Sequence, residues 1–299
     1  MYHLPVMLHQ CTEGLRIKPN GIYVDVTFGG GGHSKEIIKQ LDQGHLYAFD
    51  QDADARKNDL NDSRFTLIPE NFRHLKNFLR LYGIKKIDGL LADLGVSSHQ
   101  FDTAERGFST RFDGPIDGRM DQRVGKTGGD ILNSYSLNEL IQMFRLYGEL
   151  KNAYKISQKI VEVRENESFK TIEQLKESLL HLAPRFKENK FFAQIFQALR
   201  IEVNEELEAL KEMLLQSTEI INPGGRLVVM SYHSLEDRIV KNFIKTGNIE
   251  GELHKDFYGK ILTPWQMISR KPIMASEEEI AENSRARSAR LRIAEKTDE

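Results

Sequence analysis

The chain has 299 residues, of which 39% are hydrophobic, with one cysteine and a formal net charge of −2. This length can bury a large core in one big domain or two modest ones, and the near-zero charge does not by itself indicate a nucleic-acid partner. Cys11 alone excludes an internal disulfide and a cysteine-based zinc site. No apolar run reaches the roughly 20 residues that span a membrane, and the first residues do not resemble an export signal. We therefore expect a cytoplasmic protein without a membrane partner.

The first predicted strand runs into four consecutive glycines, Gly29 to Gly32, and then into an amphipathic helical pattern. Glycines at such a turn allow positive φ angles and close approach of a ligand, and the helix start offers free N–H groups. Ser34 breaks the spacing of a dinucleotide fingerprint. Asp25 and Thr27 precede the glycines, which is closer to how sites for S-adenosylmethionine are built. A flexible turn without a ligand is the alternative.

Asp50 follows a second predicted strand, over residues 45–49, and lies about twenty residues beyond the glycine loop. An acidic side chain at this place in a doubly wound sheet accepts hydrogen bonds from ribose hydroxyls. We predict that function for Asp50, whereas a solvated loop or helix cap is favoured for Asp52 and Asp54.

The following elements predict a parallel sheet with a helical insertion. Residues 64–69 and 87–93 are the third and fourth predicted strands, and the fourth ends in Asp93. Residues 131–184 show a helical, polar pattern, and a long amphipathic helix with Phe192 through Leu207 follows.

The return to the sheet is predicted at the turn over residues 222–225, which leads into a fifth parallel strand over residues 226–231. Polar and aromatic residues 232–238 follow, at the edge where such folds place their sites. The alternation of basic and small or apolar residues over 285–294 predicts a final strand with one cationic face.

Eight dispersed segments resemble the bacterial 16S ribosomal RNA cytosine-N(4)-methyltransferases, in the same order and from end to end. They are residues 25–34, 93–98, 105–109, 113–115, 196–201, 223–227, 233–238 and 285–288. The chain departs from the family pattern at His99, where proline is usual, and at residues 189–194.

The resemblance implies an α/β, Rossmann-like class I methyltransferase with a mostly parallel sheet and S-adenosylmethionine as donor. It places the methyltransferase domain in residues 1–108 and 204–299, and a helical substrate-recognition insert in residues 109–203. The cofactor contacts that it implies are Gly31, Gly32, His33, Asp50, Phe72, Asp93 and Gln100. Without the resemblance, Phe72 would be interpreted as a core residue.

The chemistry implied is methylation of the exocyclic N4 amine of a cytidine in the decoding centre (P site) of 16S rRNA, within the small ribosomal subunit. This amine is a poor nucleophile, so positioning supplies most of the acceleration. Asp93 is the predicted hydrogen-bond acceptor, with loop capping as the alternative. His233 or Asp237 is a second catalytic candidate, although a structural network accounts for a histidine equally well. Cys11 lies far from the cofactor motifs in sequence, which argues against covalent methylation at C5.

Cations near the predicted site supply candidate phosphate contacts. Arg106, Arg111, Arg119 and Arg123 form this cluster, and Lys126 lies beside it. The interleaved charges of residues 151–167 are more typical of a solvated helix face.

Two other functions remain open at this point. One is an RNA-binding ribosome-assembly factor with marginal catalysis, and the other is a methyltransferase for DNA or a small molecule. An insert of nearly a hundred residues is more than a small substrate needs, by the boundaries above. The sequence shows no metal-ligand cluster and names no metal ligand, and it leaves open both a metal requirement and the choice between a monomer and a homodimer.

Overall fold

The computed structural model describes residues 5–298, so the expectation that the chain begins without an export signal concerns four residues, 1–4, that lie outside the described part. The chain divides into two compact units. The first comprises the residues up to 95 and those from 207 onward, and the second comprises residues 96–206. Residues 96–108 therefore belong to the second unit. The predicted domains, residues 1–108 with 204–299 and residues 109–203, remain a prediction about function.

Within residues 5–298 the strands form a single sheet in the first unit, with the order β3-β2-β1-β4-β5-β7-β6. They are β1 (Ile22–Asp25), β2 (His45–Phe49), β3 (Phe65–Ile68), β4 (Ile87–Asp93), β5 (Ile221–Ser231), β6 (Trp265–Met267) and β7 (Arg290–Lys296). The first five strands pair in parallel, and β7 pairs antiparallel with β5 and β6. The predicted mostly parallel α/β fold is confirmed. The short edge strand β6 was not predicted.

The α-helices of the described chain are distributed over both units. They are α1 (Leu8–Leu15), α2 (Gly32–Lys39), α3 (Leu75–Leu81), α4 (Ser98–Asp102), α5 (Gly128–Ser134), α6 (Leu137–Leu146), α7 (Ala153–Arg164), α8 (Ile172–Leu179), α9 (Glu188–Asn204), α10 (Glu206–Ile220), α11 (Ser234–Thr246) and α12 (Glu277–Glu282). Short 3₁₀ turns occupy Ala53–Asn58, Phe72–His74, Ala104–Arg106, Leu180–Leu182 and Ser284–Ser288. No helix within residues 5–298 is long and apolar enough to cross a bilayer.

Helices cover both faces of the sheet because its central strands are apolar on both sides. Successive residues of a strand point to opposite faces. Leu90 accordingly packs with residues of α10 and α11, such as Met213 and Phe243. Its neighbour Leu91 packs in a second cluster that holds Cys11 of α1 and Ile37 of α2. Continuous apolar runs of this kind are typical of buried parallel strands.

The turn predicted over residues 222–225 is a bulge inside β5. Ile221 pairs with Ile87 and Arg226 pairs with Gly89, so the four residues between them project from the ladder. Gly224 adopts a φ of 75°, which glycine accommodates without strain. The bulge brings residues 226–231 into parallel register with β4, as predicted.

The final strand differs from its prediction. Residues 284–288 form a 3₁₀ turn, and β7 begins only at Arg290. The predicted cationic face is not a solvated one, because Arg292 is buried against an acidic partner described below. One cation of the alternating segment, Arg292, thus belongs to an internal ion pair.

The second unit is helical and has a core of its own. Leu140, Phe144 and Ile195 lie in this core. The long predicted helix is interrupted at Glu205, whose φ is 48°, so α9 and α10 are separate helices. Asn204, at the end of α9, holds the loop at residue 120 through the N–H of Met120, which donates to its Oδ1 over 2.7 Å.

Candidate functional site

The polar side chains predicted for the site follow neighbouring parallel strands of the first unit. Asp25 ends β1, Asp50 follows β2 and Asp93 ends β4. Tyr232 follows β5, in which Met230 is the register partner of Asp93. Ligands of open α/β sheets bind outside these carboxyl ends, where the strand order reverses. Here the reversal lies between β1 and β4.

The backbone of the glycine loop adopts conformations and close contacts that disfavour residues with a side chain. Gly29 and Gly31 have φ angles of 50° and 74°. A Cβ atom at Gly32 would lie 2.1 Å from Cγ of Pro5, so no larger residue fits there. The helix α2 begins at Gly32, which leaves its first N–H groups available to a ligand.

Asp50 is joined to this loop by its carboxylate. Oδ2 accepts from the N–H of Gly29 over 2.7 Å, and Oδ1 accepts from the N–H of Asp52 over 2.8 Å. Desolvation raises the pKa of Asp50 to about 6, although these N–H donors lower it. Each carboxylate oxygen can accept a further hydrogen bond, so the group retains acceptor capacity for ribose hydroxyls.

Asp25 is the buried centre of a network under the loop. Its Oδ2 accepts from the Ser34 hydroxyl over 2.7 Å, and its Oδ1 accepts from the N–H of Thr27 over 3.1 Å. The N–H of Asp93 in turn donates to the hydroxyl oxygen of Thr27 over 2.7 Å. Burial raises the pKa of Asp25. The network fixes the ends of β1 and β4 relative to each other.

Asp93 lies between a phenol and an imidazole. Its Oδ1 accepts from the Tyr232 hydroxyl over 2.7 Å, and its Oδ2 lies 3.8 Å from Nδ1 of His33. Its side chain is 23% exposed, so it is open to a ligand on one side. Desolvation raises the pKa of Asp93 to about 6, with His33 and Tyr232 opposing the rise. A carboxyl with this pKa takes up a proton more readily than an ordinary aspartate does.

His33 is buried, and the opposite ring nitrogen is also engaged. Nε2 lies 3.0 Å from the carbonyl oxygen of Val6, so that nitrogen must carry the proton that forms this hydrogen bond. The other ring nitrogen, Nδ1, lies on the side of Asp93. Segment 5–7 thereby orients His33 from outside the sheet.

Two further residues of the predicted cofactor set lie in different surroundings. Phe72 is half-buried in a 3₁₀ turn just beyond β3, where Asn71 Nδ2 donates to Gln51 Oε1 over 2.8 Å. This bond ties the segment of Phe72 to the end of β2. Gln100 is in the second unit, where its Oε1 accepts from the N–H of Ser97 over 3.0 Å at the start of α4.

The start of α11 contains the other two catalytic candidates. His233 is the N-cap residue, and its Nε2 lies 3.2 Å from Oε1 of the buried Glu236. Asp237 is bound by Arg292, with Nε to Oδ1 at 2.7 Å and Nη2 to Oδ2 at 3.1 Å. These contacts favour a structural function for Asp237. Its catalytic function, like that of His233, remains a prediction.

The four predicted substrate arginines are not equivalent. Arg106 is buried and donates to the carbonyl oxygens of Arg119 and Met120, which closes a loop. Arg119 and Arg123 form ion pairs with Asp117 and Asp121, each with a shortest distance of 2.8 Å. Arg111 is exposed, with its guanidinium 5.4 Å from the centre of the Phe101 ring. Arg111 is therefore the member best placed to contact a phosphate.

The whole chain matches a known protein family. The match to the MraW methylase family covers residues 1–297. The chain belongs to this family. Its relatives include "Ribosomal RNA small subunit methyltransferase H" of Phocaeicola vulgatus, which is 56% identical over 297 residues, with 99% of this chain and 98% of the relative covered. The proteins of the same name from Christiangramia forsetii and Flavobacterium johnsoniae are 57% and 58% identical, each with 99% and 98% coverage.

These similarities confirm the resemblance drawn from the sequence motifs. The geometry fits the predicted cofactor, since the glycine loop is bound to the Asp50 carboxylate and leads into the first N–H groups of α2. Sequence reasoning missed Tyr232 as a partner of Asp93 and Arg292 as a partner of Asp237. The position of Tyr232 immediately after a predicted strand was the available signal.

Proposed function

We propose that the protein methylates the N4 amine of a cytidine in the decoding centre (P site) of 16S rRNA, within the small ribosomal subunit and in the cytoplasm. The methyl donor is S-adenosylmethionine. The observation that supports the proposal is the placement of the Asp93 carboxyl at the end of β4, beside the glycine loop. The names of the relatives support ribosomal RNA as the substrate class.

The donor site would be built by the loop and by Asp50. The N–H groups at the start of α2 and the open backbone at Gly31 and Gly32 would receive the methionine portion. Asp50 would accept from the ribose hydroxyls, and the Phe72 ring would lie against adenine. We include Gln100 in the proposed donor set on the family resemblance alone.

Asp93 would act on the amine. The donor supplies an electrophilic methyl group on a sulfonium. Transfer of that methyl group from sulfur to N4 would give N4 a positive charge, so N4 would have to lose one proton. Asp93 Oδ2, on the side away from Tyr232, would accept a hydrogen bond from the amine and then that proton. A pKa near 6 suits proton acceptance near neutral pH.

The test is methyl transfer from labelled S-adenosylmethionine to small subunits from cells that lack this protein, followed by nucleoside analysis. We expect N(4)-methylcytidine with the wild-type chain and at least a hundredfold less with Asp93→Ala, since positioning and proton acceptance are both lost. The Asp54→Asn variant, at an exposed ion pair with Lys57, is the matched control and should retain activity.

The other functions predict different results. An assembly factor would bind subunits without single-turnover methyl transfer. A DNA or small-molecule enzyme would bind S-adenosylmethionine, as measured by calorimetry, but leave the RNA unlabelled. Label in RNA as a nucleoside other than N(4)-methylcytidine would overturn the assignment of the target atom.

A further inference from the structure

Tyr232 contacts Asp93 directly and is outside the set of residues that the family resemblance implied. Its hydroxyl donates to Asp93 Oδ1 over 2.7 Å. Burial next to this carboxylate raises the pKa of Tyr232 well above its ordinary value, so the phenol keeps its proton and remains a donor. The hydrogen bond occupies one carboxylate oxygen and leaves Oδ2 toward His33.

Both the backbone and the ring of Tyr232 are held in place. Its backbone N–H donates to Glu236 Oε2 over 2.9 Å, which fixes the residue at the start of α11. A Cβ atom at Gly95 would lie 3.4 Å from Cδ2 of the ring, so the ring packs on the backbone just beyond β4. Gly95 has a φ of 101°, a conformation that favours glycine. The loop after β4 thus passes under the ring.

We propose that Tyr232 is a positioning residue for methyl transfer, which aims the Asp93 carboxylate and sets the pH above which that group accepts a proton. This inference rests on the proposed function of Asp93. A carboxylate held through one oxygen presents the other in a fixed direction. Correct orientation of a reacting group accounts for a large share of the rate acceleration.

The effect on pH follows from the charge of the groups around Asp93. The hydrogen bond from Tyr232 stabilises the ionised carboxylate, so its removal raises the pKa of Asp93. The acidic limb of the pH–rate profile, in which the rate rises as Asp93 loses its proton, then moves to higher pH. The other titratable groups that face Asp93 are His33 on α2, Asp25 at the end of β1, Glu236 on α11 and Cys11 on α1. The Tyr232→Phe substitution leaves all of these in place.

The test compares Tyr232→Phe with Tyr135→Phe in the full-length chain. Tyr135 also donates to a carboxylate over 2.7 Å, that of Glu202, but within the second unit. For Tyr232→Phe we expect an unchanged affinity for S-adenosylmethionine, kcat lower by about three- to tenfold, and an acidic limb about one pH unit higher. Tyr135→Phe, which lies in the predicted substrate-recognition insert, should leave the acidic limb and the pKa of Asp93 unmoved.

A ¹³C NMR titration of the Asp93 carboxyl gives a readout that needs no activity. It should show a higher pKa in Tyr232→Phe than in wild type and in Tyr135→Phe. An unchanged Asp93 pKa, or a lower kcat with an unmoved acidic limb, overturns the inference. Absence of methyl transfer by the wild-type chain overturns the proposed function instead, and the titration still decides whether Tyr232 controls Asp93.

Discussion

Asp237 on α11 receives both arms of the Arg292 guanidinium from β7, at 2.7 and 3.1 Å. Arg290 Nη1 also approaches it, at 3.4 Å. Both members of the Asp237–Arg292 pair are buried, at 8% exposure each. The pair ties the helix after β5 to the antiparallel strand next to it.

Loss of this ion pair should destabilise the fold. We expect Asp237→Asn to lower the free energy of unfolding by about 2–4 kcal/mol, because the Arg292 charge stays buried without its full partner. Denaturant unfolding measures this, with Asp54→Asn as control, for which a change below about 0.5 kcal/mol is expected because the Asp54–Lys57 pair lies at the surface. Below its melting temperature, Asp237→Asn should keep near wild-type kcat. A large loss of kcat there would show that Asp237 acts in catalysis.

Asp50→Asn should weaken the binding of S-adenosylmethionine by about 10- to 100-fold, since a charged acceptor for the ribose hydroxyls is lost. The amide oxygen can still accept from one of its present donors, the N–H of Gly29 or that of Asp52, so the loop should remain folded. Isothermal calorimetry gives the affinity, and circular dichroism checks the fold. Wild-type affinity in a folded Asp50→Asn protein would contradict the ribose assignment.

Substitution of Arg111 should affect substrate binding, whereas substitution of Arg106 should affect stability. Arg111→Gln, at an exposed site, should raise KM for small subunits several-fold and reduce the salt dependence of binding, with no change in Tm. Arg106→Gln should lower Tm, because the buried guanidinium holds the carbonyl oxygens of Arg119 and Met120. A lower Tm for Arg111→Gln, or an unaffected KM, would remove Arg111 from the substrate surface.

The sequence predicted those parts of the fold that depend on local patterns. The strands β2 and β4 were predicted with their observed bounds because each is a mostly apolar run that ends in, or just before, an aspartate. Asp50 and Asp93 were identified because parallel strand ends share one edge of a sheet. The short strand β6 has two exposed residues out of three and carries little pattern.

The remaining features depend on contacts between distant positions. Nothing local to Asp237 shows that Arg292, 55 positions away, neutralises it. Arg106 similarly has a side chain that is typical of phosphate ligands, and only the packed loop shows that it is buried. In both cases the sequence supplied the charge, and the tertiary fold determined its partner.

Asp93→Asn should stabilise the protein while it abolishes methyl transfer. The folded-state pKa of about 6 exceeds the unfolded value of about 4, so the folded protein holds this proton more tightly. The stability that Asp93 contributes is therefore fully present below about pH 4 and is lost as the pH rises through 6. At pH 8 we expect the asparagine variant to be more stable by about 1–3 kcal/mol, seen as a Tm higher by a few degrees. The difference should shrink by roughly half at pH 5, and a variant less stable than wild type at pH 8 would show that burial of the Asp93 charge costs the fold nothing.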